Sequence, residues 1–185
     1  MRSILKPLTA CLFLGACGSV VMSTAVVLGM SASLQYDPAG YEVAITIPEG
    51  VDVQTGGATL GVSNANTIHS VDEQYTYVLE RREAPDGQTL FRVNPTDLDG
   101  LRDLQARVTA WEAEDSRANS GAISVWVSFC TVGDGPADDD VFDVSIRTTP
   151  EGRFMPLIRG AQVKDAIALL EENGGSVDDY EPCAQ

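Results

Sequence analysis

Few residues of this chain carry reactive or ligating groups, and its only histidine, His69, is the first to consider. A serine or cysteine nucleophile that relies on a histidine base would need this residue. His69 lies in the segment Asn66-Thr67-Ile68-His69-Ser70, with no nucleophile-elbow motif nearby. The chain also lacks a glycine-rich phosphate loop, a metalloprotease helix motif and any HxH or CxxC pair. The sequence therefore predicts a protein that is not an enzyme and needs no cofactor.

An acidic cluster is the second candidate for chemistry. It consists of Asp134, Asp138, Asp139, Asp140 and Asp143. Carboxylates gathered on a turn are the hard oxygen ligands that calcium prefers, but the spacing does not match the EF-hand loop. We therefore expect a solvated acidic loop. If calcium binds, the candidate ligands are Asp134, Asp138, Asp139 and Asp140.

An uncharged run of 23 residues, Leu8 to Met30, follows the basic residues Arg2 and Lys6. The first charge beyond it is Asp37. Basic residues on one flank keep that flank cytoplasmic, so the rest of the chain is expected to be exported. The predicted organisation is an export or anchor segment over 1–33, an α+β domain over 34–174, and an acidic C-terminal tail over 175–185 tied by a disulfide.

Three fates of the N-terminal segment remain open. Leu14-Gly15-Ala16-Cys17 resembles the lipobox of bacterial lipoprotein signals, and this resemblance implies lipidation of Cys17. The run is also long enough for a transmembrane helix, because a bilayer core needs about 20 apolar residues. The third fate is a cleaved signal peptide ending at Ser31-Ala32-Ser33. The first two hold the domain on the periplasmic side of a bacterial membrane, and we favour the lipoprotein.

The four cysteines support export independently. Cys11 and Cys17 lie inside the export segment, which leaves Cys130 and Cys183 as the pair in the folded part. An even pair outside the cytoplasm is typical of a disulfide. The alternatives are a reactive Cys130 thiol or a metal pair, which the single histidine and the missing CxxC motif disfavour.

The charge of the exported part limits its partners. Beyond residue 33 there are 10 basic and 27 acidic residues, a net charge of −17. This balance disfavours nucleic acid and anionic lipid headgroups, because both are bound by basic surfaces. It fits either plain solubility or docking onto a basic protein partner.

The first half of the domain predicts strands followed by a helix. Tyr41 to Ile47 alternates as a half-buried strand. The Gly, Ser and Asn content of residues 56–70 predicts a weak strand near Ala58 to Val62 and then a loop. A hairpin is expected next, with its turn at Pro85-Asp86-Gly87. Asn94 or Thr96 then caps a helix that runs to about Glu114. Its apolar face consists of Leu98, Leu101, Leu104, Val108 and Trp111.

The second half repeats this order. We expect a central strand over Ala122 to Val132, a strand over Val141 to Thr148, an edge segment over Phe154 to Ile158, and a second helix over Ala161 to Glu172. At an offset of 65 residues Arg82 aligns with Arg147 and Leu98 with Val163, which predicts two strand-turn-strand-helix units. The expected fold is α+β: a mainly antiparallel sheet of about six strands with two helices packed on it.

Two kinds of function fit these features. The first is a non-catalytic accessory or scaffold domain of the cell envelope that docks onto a protein partner. The second is a periplasmic module that binds calcium or a small ligand, with Tyr75, Tyr77 and Trp111 lining a pocket.

Overall fold

The computed structural model of this protein describes residues 28–29, 36–84, 88–137, 139–165 and 183. In this part of the chain, eight antiparallel strands form a sheet in the order β1-β6-β3-β4-β5-β2-β7-β8, beside one long helix. The strands are β1 (Leu28–Gly29), β2 (Glu42–Thr46), β3 (Val51–Asn66), β4 (Val71–Glu83), β5 (Thr89–Val93), β6 (Asn119–Thr131), β7 (Val141–Arg147) and β8 (Met155–Gln162), and the helix is α1 (Leu98–Asp115). The predicted α+β class with an antiparallel sheet is confirmed, with more strands than the expected six.

The sheet curves into a half-barrel. Strand β4 changes partner midway, since Val71–Val78 pairs with β3 and Leu79–Glu83 pairs with β5. The ring centroids of Phe129 on β6 and Phe142 on β7 are 5.3 Å apart, although four strands separate β6 from β7 in the sheet order. Only a strongly curved sheet brings these two strands face to face, so the core lies on its concave side.

The loop expected after Val62 is wrong. Residues 51–66 form β3, the longest strand, which pairs with β6 on one side and β4 on the other. Ala58, Leu60 and Val62 are each no more than 1% exposed on its concave face. Pairing with two long neighbours outweighs the poor strand propensity of Gly, Ser and Asn, because that propensity depends strongly on context.

Helix α1 agrees with its predicted face, but it starts later than the expected Asn or Thr cap: Asp97 precedes its first residue, Leu98, and makes no side-chain capping hydrogen bond. The Asn94 side chain accepts a hydrogen bond from Thr96 N at 3.0 Å, ahead of a short 3₁₀ turn. Leu101, Leu104 and Val108 are each no more than 2% exposed. They pack with the concave face of the sheet in a single hydrophobic core. Spacing of three and four residues is a local signal, so this face was readable from the sequence.

Two other elements differ from expectation. Strand β6 was expected to be central, yet beyond β3 its only paired neighbour in the described chain is the two-residue β1. The second helix was expected from Ala161, but β8 continues to Gln162 and helix begins at Val163. Most of that predicted helix lies outside the described residues. Pro156 lies on β8, which within the described residues pairs with β7 alone and forms the sheet edge, as predicted.

A ladder of alternating charges crosses the convex face. Glu80, Arg92, Glu42 and Arg147 face one another in register on β4, β5, β2 and β7. Arg92 pairs with Glu80 at 2.7 Å, while Glu42 pairs with both Arg147 and, at 3.3 Å, Arg82. Glu42 is only 8% exposed, because these arginines cover it. The two arginines aligned by the offset of 65 therefore bind the same carboxylate, although the repeat itself stays a prediction.

Candidate functional site

The predicted disulfide is present. Cys130 and Cys183 are bonded, with their Cα atoms 5.0 Å apart. The Cys183 amide also donates to the Thr131 carbonyl at 3.0 Å, which extends the edge of β6. Cys17, the predicted lipidation site, lies outside the described residues.

The acidic loop lines an open cleft of about 520 Å³ beside the turn between β2 and β3. Asp134 and Asp140 lie on this cleft together with Glu49, while Asp138 lies outside the described residues. The Asp140 carboxylate accepts from Ala137 N at 2.7 Å and so closes its own turn. In the described part of the chain, no three His, Cys, Asp or Glu side chains lie close enough to share a metal ion. Calcium binding by Asp134, Asp138, Asp139 and Asp140 stays a prediction.

His69 lies on the turn between β3 and β4 and contacts the end of α1. Its ring stacks on Trp111 with the centroids 5.5 Å apart. Its Nε2 lies 2.7 Å from Glu114 Oε2. The Arg107 guanidinium also lies over the Trp111 ring, 5.7 Å from its centroid. His69 therefore helps to hold the helix end against the hairpin.

Arg107 connects the helix to strand β4. Its Nη2 lies 3.1 Å from Glu73 Oε2 and 3.3 Å from the Tyr75 hydroxyl. The hydrogen bond to Tyr75 and the charge of Glu73 raise the pKa of Arg107 above its ordinary value. Burial, with Tyr75 and Asp97 nearby, raises the pKa of Tyr77. Tyr75, Tyr77 and Trp111, which the sequence proposed as a pocket lining, all pack against the hydrophobic core.

Beneath this helix end lies a group of buried amides that we call the asparagine cluster: Asn64, Asn66 and Asn119. Asn64 and Asn66 are 1% and 2% exposed. Strand pairing places Asn66 opposite Asn119, and Asn64 opposite both Glu73 and Gly121. Among the residues that the structure describes, both side-chain atoms of Asn64, the Nδ2 of Asn66 and the Oδ1 of Asn119 have no hydrogen-bond partner. The apolar core thus ends here in unpaired polar groups.

The hairpin turn explains the orientation of Asn66. Its Oδ1 accepts from Ile68 N at 3.0 Å and His69 N at 2.9 Å, a common turn contact of asparagine. Ser70 completes the turn with a φ of 53°. The Nδ2 of Asn66 therefore faces away from the turn, into the cluster.

The convex surface of β6, β3 and β4 is a second candidate site, which we call the outer face. Strand alternation and strand pairing place twelve residues on this face, and Asp72 is the only charged one. They are Thr59, Gly61, Ser63 and Ala65 on β3, Asp72, Gln74, Thr76 and Val78 on β4, and Ser120, Ala122, Ser124 and Trp126 on β6.

Trp126 is held flat on the outer face. Its indole N–H donates to Ser124 Oγ at 3.1 Å, and Ser124 Oγ lies 3.4 Å from the Gly61 carbonyl. A Cβ at Gly61 would come within 2.4 Å of Ser124 Oγ and 3.4 Å of the indole nitrogen. Because Gly61 has no side chain, the indole of Trp126 has room to lie against the sheet. Trp126 remains 37% exposed. Val78, on the opposite side of Thr59 from Trp126, is 51% exposed.

Neither the outer face nor the asparagine cluster was identified from the sequence. The signal for the cluster is strand alternation. Asn64 and Asn66 continue the period of two residues and so fall on the same face of β3 as the buried Ala58, Leu60 and Val62. That signal becomes readable only once β3 is known to be one continuous strand. Within the described ranges, no helix is long and apolar enough to cross a bilayer.

No protein-family model, curated protein or solved structure matches this chain. The function therefore has to be argued from the two candidate sites themselves.

Proposed function

We propose that this chain is a membrane-held, exported domain of the bacterial cell envelope that binds a protein partner without catalysing a reaction. Lipidation at Cys17 is the proposed attachment, and the periplasm is the proposed compartment. The disulfide between Cys130 and Cys183 supports an oxidising compartment, because such bonds persist mainly outside the cytoplasm.

The observation that carries the docking proposal is the composition of the outer face. The chain has 27 acidic and 12 basic residues, yet eleven of the twelve outer-face residues are uncharged. The cores of protein interfaces are depleted in charge and enriched in aromatic residues such as Trp; Ser and Ala are depleted there as well, so the match rests on the missing charge and on Trp126. An exposed strand surface that only faced water would have no reason to exclude charge in so acidic a chain.

The state of Trp126 favours the same conclusion. Its indole is already fixed by Ser124, so binding would immobilise few additional bonds. Preorganised aromatic residues at the centre of an interface carry much of its binding energy, because little conformational entropy is lost. The small Ser, Thr, Gly and Ala side chains around it form a smooth surface. The proposed partner therefore presents an equally uncharged surface.

Site-specific photo-crosslinking in intact cells tests this proposal. A photoreactive residue at Thr76, on the β4 side of the outer face, should give one discrete crosslinked species. The same residue at Thr109, which is exposed on α1, should give none. Thr76→Arg should reduce the partner's co-purification by tenfold or more, while the matched Thr109→Arg leaves it unchanged. Equal crosslinking at both positions would contradict the proposal.

Intact mass analysis of membrane-extracted protein tests the attachment. A mature chain that begins at a diacylated or triacylated Cys17 would establish the lipoprotein, and a full-length chain would establish the transmembrane anchor. A soluble chain that begins near Leu34 would refute membrane attachment. Cys17→Ser should abolish lipidation and leave the protein in its unprocessed form.

A further inference from the structure

The asparagine cluster is an unusual defect in a well-packed core. Buried polar atoms are almost always hydrogen-bonded, because an unpaired buried group loses its hydrogen bonds to water without replacing them. Here four amide atoms of three neighbouring side chains lack a partner, and Asn64 is 1% exposed. The buried Oε2 of Glu73 faces the same region and has only its ion pair with Arg107. So many unpaired groups in one place indicate a bound molecule.

The unpaired atoms define the chemistry of that molecule. The Nδ2 of Asn66 is a donor, since its Oδ1 is engaged by the turn, and the Oδ1 of Asn119 is an acceptor. Asn64 offers one donor and one acceptor in either orientation of its amide. Amide donors disfavour a metal ion, and amide oxygens beside Glu73 disfavour an anion. Arg107 balances the charge of Glu73 at 3.1 Å, so the bound group should be neutral.

We propose that the asparagine cluster binds neutral hydroxyl groups, which both donate and accept hydrogen bonds. They belong either to internal water or to a small polyol. Asn64 and Asn66 are two residues apart, about 7 Å along the strand, which suits two or three hydroxyls in a row. Gly121 adds no side chain beside Asn64. A buried water needs two to four polar partners, and the cluster supplies that number.

The bound hydroxyls would also connect the sheet to α1. Arg107, Trp111 and Glu114 on the helix contact Glu73 and His69 on the hairpin at the border of the cluster. The end of the helix therefore lies at the border of the cluster.

Solution NMR on the full chain tests the proposal. In wild-type protein, the side-chain amide protons of Asn64 and Asn66 should show cross-relaxation from water with the sign that marks long-lived binding. Glycerol, the simplest polyol, is then titrated as a probe. A water signal that persists at high glycerol identifies internal water, and a saturable loss identifies a polyol site. Both outcomes support the proposal.

Absence of any long-lived water signal at both amides, with no response to glycerol, would overturn the proposal. Asn64→Leu, which has a similar shape, should abolish the signal at Asn66. Ser63→Ala, one residue away on the outer face, should leave it unchanged. The wild-type measurement remains decisive if Asn64→Leu does not fold.

Discussion

Loss of the disulfide should lower the free energy of unfolding by about 4 kcal/mol. The bond joins residues 53 apart in the sequence. In the chain-entropy model, closing a loop of this size removes about 14 cal/mol/K from the unfolded ensemble, which is about 4 kcal/mol at 25 °C. For a domain of this size, that corresponds to a drop in Tm of roughly 8–16 °C. The cleanest perturbation is Cys183→Ser, because it leaves the buried Cys130 in place.

Urea unfolding of the wild-type protein and Cys183→Ser, each with and without reductant, measures this effect. Reduced wild type should match the variant, and the variant should not respond to reductant. The dependence on denaturant should become steeper without the bond, because an unconstrained unfolded chain exposes more surface. Equal stability of oxidised and reduced wild type would refute the loop-closure reasoning. A much larger loss would mean that the tail makes native contacts of its own.

Three further predictions concern the core and its turns. Leu104→Ala should lower the free energy of unfolding by about 2–5 kcal/mol in denaturant melts, because Leu104 is 2% exposed. Burial raises the pKa of Tyr41 to about 12 in the folded state, so stability should fall by about 2–3 kcal/mol between pH 10 and 12 as the unfolded state deprotonates first. Tyr41→Phe should remove this contribution and leave that of Tyr77, whose pKa burial also raises, and an undiminished alkaline loss in this variant would contradict the assignment. Gly50→Ala should cost more than Gly133→Ala in the same melts. Both have positive φ, but only a Cβ at Gly50 would meet Gly135 O, at 2.2 Å. Equal costs would mean that the turn shifts to relieve the contact.

Local patterns of the sequence were sufficient for about half of this fold. The buried face of α1 and the position of Pro156 at a sheet edge depend on residues within a single element. The disulfide followed from counting the cysteines left outside the export segment. These inferences needed no knowledge of which strands are neighbours.

The predictions that were wrong concern residues whose environment is set by neighbouring strands that are distant in sequence. Strand β3 reads as a loop because of its small polar residues, yet those residues form the outer face that supports Trp126. Asn64 reads as a loop residue for the same reason, although pairing with β4 and β6 buries it. Both candidate sites therefore lie on the strand that the sequence pattern identified least well.

The charge ladder on the convex face fixes more than the pairing of Glu42 with its arginines. A strand of alternating apolar residues such as β2 could slide by two positions and still bury the same face. That slide would place Ala44 where Glu42 now faces Arg147, leaving a carboxylate in a covered position without its partner. Removing one partner of such a buried ion pair costs about 3–5 kcal/mol, because it leaves an uncompensated charge. Glu42 therefore fixes the register of β2 between β5 and β7. Replacing Glu42 should let chains with a shifted β2 register accumulate during folding.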